Sequence, residues 1–178
     1  PRLSSAASDV YKRQVLGPEM KSTGEAMGHG PNFGTAYLKA MKGGNKKIPT
    51  SGTVFVSISN KQKDDFTGLA KRLSKLGFEL IATKGTASHL RASKIDPKVI
   101  WRISDKKSPD ILSIMREGNV NLIVNIPTGK RAATDGAQMR RLAVELGIPF
   151  ITTITGAEAA IQSLEEGEND YLMPITKK

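Results

Sequence analysis

From residue 51 onward, short apolar runs alternate with amphipathic stretches, and the two kinds differ in period. "GTVFVSIS", residues 52–59, is a continuous apolar run of the kind a buried strand shows. "KDDFTGLAKRLSKLG" follows, with Phe66, Leu69, Ala70, Leu73 and Leu76 at helical spacing and Gly77 placed to end the helix. The alternation then continues with strand "FELIAT", helix "TASHLRAS" and strand "KVIWRI". Helix "SPDILSIMREG" comes next, with Ser108 as its cap and Pro109 in its first turn. Strand "VNLIVNI", helix "TDGAQMRRLAVELG", strand "PFITT" and helix "GAEAAIQSLEEG" complete the series, and "YLMPI" (171–175) reads as an edge strand. Strand–helix alternation predicts parallel strands with helices on both faces, a three-layer α/β/α domain around a mainly parallel five-stranded sheet.

The first 50 residues follow a different pattern. Residues 1–14 show no period and no consistent caps, and read as a non-native leader outside the fold. "VLGPEMKSTGEAMGHG" is glycine-rich and reads as loop. "NFGTAYLKAMKGG" reads as a short helix with Phe33, Ala36, Tyr37 and Ala40 on one face and Gly43-Gly44 as its stop; "NKKIPT" reads as a linker. The predicted units are therefore 1–14, 15–50 and 51–178.

Composition narrows the function. Hydrophobic residues make up 38% of the 178-residue chain, enough for a core, while aromatics at 5% argue against a base-stacking surface. The absence of cysteine excludes disulfides, thiolate metal sites and a cysteine nucleophile, and fits the reducing cytoplasm. No apolar run approaches the roughly 20 residues that span a bilayer. The formal charge of +10 favours anionic partners, but it is divided evenly, +5 in residues 1–50 and +5 in the rest, so no basic tract dominates.

In open α/β sheets ligands bind beyond the carboxyl ends of the strands. Ser57 ends the first strand, and Lys63 opens the helix after it. Thr83, Lys84, Gly85 and Thr86 follow the second, Arg102 the third, and Asn125 with "IPTGKRAAT" the fourth. Hydroxyls, cations and glycine at helix starts suit a phosphate: free N–H groups and the positive helix end bind anions, and glycine permits close approach. Taken one at a time, each turn is equally an ordinary helix cap. No Walker-type or GxGxxG phosphate motif is present, and His29 and His89 lack metal-ligand spacing. Asp64, Asp65, Asp105, Asp110 and Asp135 lie near helix starts, where carboxylates serve as caps, and no acid/base pair stands out. Trp101 reads as a packing residue.

"LGPEMKSTGEAMG" resembles the end of the second ATP-grasp half of the carbamoyl phosphate synthetase large-subunit family. "FELIATKGTASHL" and "VNLIVNIPTGKRAATDGAQMRRLAVELGIPFITT" resemble the allosteric domain that follows it, which has a methylglyoxal-synthase-like fold. The resemblance runs from about Leu16 to the end. It implies a carboxyl-terminal fragment: the tail of an ATP-grasp domain, then a regulatory domain that binds a nucleotide such as UMP or IMP. The parent enzymes are ligases that make carbamoyl phosphate from bicarbonate, glutamine and two ATP, with magnesium or manganese, for pyrimidine and arginine biosynthesis. The fragment alone would hold no cofactor or metal and would not be catalytic. Implied partners are the nucleotide effector, the rest of the large subunit, the small glutaminase subunit and further copies in an oligomer; neither a membrane nor nucleic acid is implied. By the same resemblance, Lys63, Thr83 and Thr86 hold the effector phosphate with Ser57 nearby, Arg102 replaces an expected lysine, and Asn125 faces ribose or base. Pro127 stands where a threonine is expected, with Thr128 next; Lys84 adds a charge that would allow an effector with more than one phosphate.

Two rivals differ in class. A free-standing methylglyoxal synthase, a lyase on dihydroxyacetone phosphate, would use the same phosphate turns but needs a carboxylate base. Asp110 sits too late in its helix to serve, and the fourth strand offers no aspartate. A basic nucleic-acid-binding module would match the charge but lacks aromatic platforms and a reading motif.

Overall fold

The computed structural model describes residues 19–22, 25–44, 47–127 and 130–166. The predicted leader, the "YLMPI" strand and Thr128 lie outside them. The described chain opens with two antiparallel strands, β1 (Glu19–Ser22) and β2 (Glu25–Met27), where the sequence predicts loop. The glycine-rich stretch misleads because Gly28 lies flush against the helix that follows, where an added Cβ would run into the Ala36 carbonyl. That helix, α1 (Phe33–Gly43), is capped by Asn32, whose side chain accepts from Thr35 N at 2.9 Å.

The central sheet is built from β3 (Thr53–Ile58), β4 (Glu79–Thr83), β5 (Lys98–Ile100), β6 (Leu122–Ile126) and β7 (Phe150–Ile151). Its order is β5-β4-β3-β6-β7 and every pairing is parallel. The connecting helices are α2 (Lys63–Lys75), α3 (Lys84–Ala92), α4 (Ile111–Arg116), α5 (Lys130–Leu146) and α6 (Ile154–Glu166). Period-two alternation sorts the strand residues between two cores. Val54, Val56 and Ile58 of β3 face α2, α3 and α6, where Phe66, Leu73, Leu90 and Ile161 are buried. Phe55, Ile81 and Ile123 face the other way, onto Ile111 and Met115 of α4 and Met139 and Ala143 of α5. The predicted three-layer α/β/α domain is therefore present. Burying a side chain such as Phe55 or Phe66 contributes about 1.5–3 kcal/mol.

Four helices stop in the same way. A residue just past the helix end turns left-handed, its N–H donates to the carbonyl three residues back, and the next N–H donates to the carbonyl five residues back. Gly77, Gly118 and Gly147 do this after α2, α4 and α5, and Lys94, at φ 63°, does it after α3.

Several boundaries differ from the predicted ones, each for a local reason. Helix α3 begins at Lys84 rather than Thr86, with Thr83 as its cap residue. Helix α4 is capped by Asp110, whose side chain accepts from Ser113 N at 2.9 Å, not by Ser108; Asp110 is thus the cap and not a late helical residue. The aspartate directly before the helix sits at the cap position, whereas Ser108 lies three residues before the helix. Strand β5 stops at Ile100, and Trp101 makes only an isolated bridge to Asp110, with the Lys107 ammonium 4.3 Å from its ring centre. Helix α5 starts at Lys130, four residues before the predicted start. The α1 face is also not the predicted one: Gly34 and Thr35 are buried, while Phe33 is 55% exposed and stacks on Tyr37. Small residues win because α1 packs closely on α6, where Gly34 N donates to Glu166 Oε2 at 2.9 Å.

Candidate functional site

The chain leaves β3 by α2 on one face of the sheet and leaves its neighbour β6 by α5 on the other. Helices that part in this way open a crevice above the carboxyl ends of the strands. Here it encloses about 420 Å³.

The floor follows from strand register. Phe55 pairs with Ile81 and with Ile123, so these three make one apolar row across β4, β3 and β6. Two residues on, the same faces carry Thr83, Ser57 and Asn125, a polar row at the top of the sheet. Thr83 and Asn125 are buried, 6% and 2% exposed. Hydrogen bonding accounts for the hydroxyls at the end of β4, in Thr83-Lys84-Gly85-Thr86. Thr86 Oγ1 accepts from Ile58 N at 3.0 Å and lies 3.3 Å from Thr83 Oγ1, which is 3.5 Å from Ser57 Oγ. The threonines thus pin the start of α3 to the end of β3. Thr83 spends no side-chain bond on capping α3, so the first N–H groups of the helix, whose Gly85 and Thr86 border the crevice, take no cap from it at the positive end of the helix dipole.

Cations surround this end. Lys63, the first residue of α2, donates from Nζ to Gly85 O at 2.8 Å, bridging the starts of α2 and α3. Arg102 and Lys61 also line the crevice, and both are exposed. Of the residues singled out in the sequence, Ser57, Lys63, Thr83, Gly85, Thr86, Arg102 and Asn125 converge here. Lys84 is exposed in the first turn of α3 and is not among the lining residues. His89 lies away from the crevice, half-buried, with Nε2 3.1 Å from Thr67 Oγ1 and 3.4 Å from Asp64.

The opposite wall was not foreseen. Asp135, read in the sequence as a helix-start carboxylate, is 8% exposed and lines the crevice. Its Oδ2 accepts from Ser104 Oγ at 2.8 Å and from Ser104 N at 3.3 Å, tying α5 to the 3-10 turn Ile103–Asp105. A signal existed: Asp135, Met139 and Ala143 recur every four residues, so the aspartate shares the inward face of α5 with two core residues. Phe55, Ile103, Ile111 and Met139 make the rest of this wall apolar, and Ser59 and Asn60 form a lip after β3. Among the described residues Asn125 Nδ2 finds no acceptor, and Gly136 is so near that a Cβ there would come within 2.8 Å of it. A buried donor without a partner costs about 1–3 kcal/mol, a cost that an acceptor on a ligand in the crevice would remove.

Asp135 is the sole acidic side chain among the residues lining the crevice, and no cluster of three His, Cys, Asp or Glu occurs among the described residues. None of the described helices is long and apolar enough to cross a membrane.

Residues 65–152 match the family model of the MGS-like domain, which sets the class: a protein with an MGS-like domain whose crevice lies at the carboxyl edge of a parallel sheet. Over 85% of its length the chain is 48% identical to a protein of Methanocaldococcus jannaschii named "Carbamoyl phosphate synthase large chain, C-terminal section", and 47% identical to its namesake in Methanopyrus kandleri. The large chain of Methanothermobacter thermautotrophicus is 45% identical over the same share. The chain belongs to this family of carbamoyl phosphate synthase large chains and matches their carboxyl-terminal part. It spans 24%, 28% and 14% of the length of these three relatives.

Proposed function

We propose that residues 51–178 form the regulatory domain of a carbamoyl phosphate synthase large chain and bind a phosphorylated nucleotide of the UMP or IMP kind in the crevice. The observation that carries this reading is the meeting, in one crevice, of the uncapped α3 start with Lys63 and of the unpartnered Asn125 amide on the floor. A phosphate would accept from the α3 N–H groups and from Ser57, Thr83 and Lys63, with Arg102 adding charge and bidentate geometry. A carbonyl or hydroxyl at the ligand's other end would accept from Asn125 Nδ2.

Residues 15–50 are, on this reading, the end of an ATP-grasp domain, and α1 on α6 is where that body meets the regulatory domain. The parent enzyme makes carbamoyl phosphate from bicarbonate, glutamine and ATP for pyrimidine and arginine biosynthesis in the cytoplasm, with a glutaminase partner and an oligomeric assembly. ATP and its divalent metal act in that body, not in this crevice. Regulation is then a coupling free energy: the effector prefers one conformation of the body, typically by about 1–3 kcal/mol.

The test is calorimetric titration of the full chain with UMP, IMP, UTP and inorganic phosphate, repeated on Lys63→Ala and Thr83→Ala. Saturable nucleotide binding weakened by both substitutions is expected, and the ranking identifies the effector. Absence of binding to a folded protein would refute the site.

A second reading has one observation in its favour. Asp135 supplies the crevice with the carboxylate that a methylglyoxal-synthase lyase needs and that the sequence had not revealed. Dihydroxyacetone phosphate incubated with the protein decides it: appearance of methylglyoxal, lost in Asp135→Asn, would establish the lyase.

A further inference from the structure

The crevice has unlike ends. At the α3 end everything is donor or cation: hydroxyls, helix N–H groups, Lys63, and Arg102 at the margin. On the α5 wall stand one carboxylate, Asp135, and one unpartnered amide, Asn125 Nδ2, among apolar side chains. Among the described residues both donors to Asp135 come from Ser104 and converge on Oδ2, which leaves Oδ1 without a protein donor. Ser104 also fixes the carboxyl in place, so it cannot swing out to water without breaking two bonds.

We infer that Asp135 is a specificity-determining residue of this crevice: with Asn125 it demands a ligand whose phosphate-free half is uncharged and offers a hydrogen-bond donor, N–H or O–H, beside an acceptor, and it excludes ligands with a second anion there. The inference rests on the effector reading of the crevice. The physical reason is asymmetry of cost. A neutral donor gains a charge-assisted bond to Asp135 Oδ1. A second phosphate or carboxylate would face a buried like charge, which no cation among the described residues of this wall offsets. An adjacent acceptor on the ligand meets the Asn125 amide, which no atom of the described residues satisfies. This sets the wall against the two-phosphate ligand that Lys84 suggested from the sequence, because Lys84 lies off the crevice while Asp135 lies in it.

The donor could belong to the sugar or to the base, and the experiment separates them. The full chain and Asp135→Asn are titrated calorimetrically with UMP, 2′,3′-dideoxy-UMP and N3-methyl-UMP. Two ligands with an extra anion complete the set: uridine 3′,5′-bisphosphate, charged on the sugar, and orotidine 5′-phosphate, charged on the base. Asparagine keeps an acceptor for Ser104 and removes the charge. UMP is expected to bind about tenfold or more weakly to Asp135→Asn. The analogue lacking the relevant donor should lose that much already in the unsubstituted chain and little more in Asp135→Asn. The extra-anion ligand of the same half should be rejected by the unsubstituted chain and regain affinity relative to UMP in Asp135→Asn. Equal affinity ratios in both proteins, whether or not all ligands weaken together, would overturn the inference and leave Asp135 as an anchor for the 103–105 turn. UMP binding with such unchanged ratios sinks this inference alone; failure of UMP and IMP to bind the unsubstituted chain at all sinks the effector reading with it.

Discussion

Thr86 shows how one side chain serves both fold and site. Its hydroxyl is the acceptor for the buried N–H of Ile58, so the last residue of β3 is held by the first turn of α3. Thr86→Val keeps the shape and removes that acceptor. A loss of about 1–3 kcal/mol in urea unfolding is expected, because a buried N–H is left unpaired, whereas Thr86→Ser should stay within about 0.5 kcal/mol. If valine unfolds like the original chain, the 3.0 Å bond contributes nothing net. Lys94 offers the opposite sign. It sits at φ 63° where three sister helices use glycine. Left-handed backbone costs an ordinary residue about 1–2 kcal/mol, and glycine's extra unfolded-state entropy returns about 0.5–1 kcal/mol of that. Lys94→Gly should therefore raise the urea midpoint modestly; a lowered midpoint would mean that the lysine side chain stabilises the turn in some other way.

Elements with their own periodicity were legible in the sequence, and elements defined by partners were not. Helix α2 shows its face through Phe66, Leu69, Ala70 and Leu73, all buried as spaced, because one apolar stripe meets one sheet face. Helix α1 reverses that logic: Phe33 stays exposed and Ala36, Tyr37 and Ala40 are only half-buried, while Gly34 and Thr35 enter the seam with α6, since a close helix contact selects for small residues rather than apolar ones. The hairpin of β1 and β2 was illegible for a similar reason, as its short strands take their definition from pairing and from α1. Adding a Cβ at Gly34 would strike the Glu166 carboxylate, so Gly34→Val should loosen α1 from α6 and speed hydrogen exchange along α1 while α2 and α5 stay protected. Equal exchange in both proteins would mean the seam does not hold α1. Between α6 and α2 the tie is ionic: Arg72 donates from Nε and Nη2, one edge of its guanidinium, to the two Glu165 carboxylate oxygens at 2.8 and 2.6 Å. The Arg72 hydrogen bond holds the Glu165 carboxyl below its ordinary value of 4.5. Its contribution is present above that value and is lost as the pH falls through the lower folded-state value. The pair is about one-third exposed, so Glu165→Gln should cost at most about 1 kcal/mol at neutral pH, and the difference should vanish in acid. A difference that persists at low pH would mean that packing, not charge, is what the substitution removes.

At the scale of the molecule the sequence located the hydroxyls, cations and amide of the crevice but not its carboxylate. Strand ends and helix starts are local in sequence, so Thr83, Thr86, Lys63 and Asn125 could be placed on one sheet edge by topology alone. Asp135 could not, because its place depends on α5 beginning at Lys130 and on which face of that helix turns inward. The same distinction bears on the net charge of +10. If the charge acts as a field, nucleic acid should bind and release steeply with salt; if it serves one crevice, a mononucleotide should bind with a much shallower dependence. Thermal unfolding separates these. At a nucleotide concentration of about 100 times Kd the folded state gains about 2.7 kcal/mol. For a chain of this size that is a rise in Tm of about 5–10 °C. That rise should survive a change from 50 to 200 mM salt to within a few degrees, and it should be absent in Lys63→Ala at the same concentration. A duplex oligonucleotide that raises Tm at 50 mM salt and loses the effect at 200 mM, while UMP and IMP do nothing, would reassign the positive charge to nucleic acid and leave the crevice without its ligand.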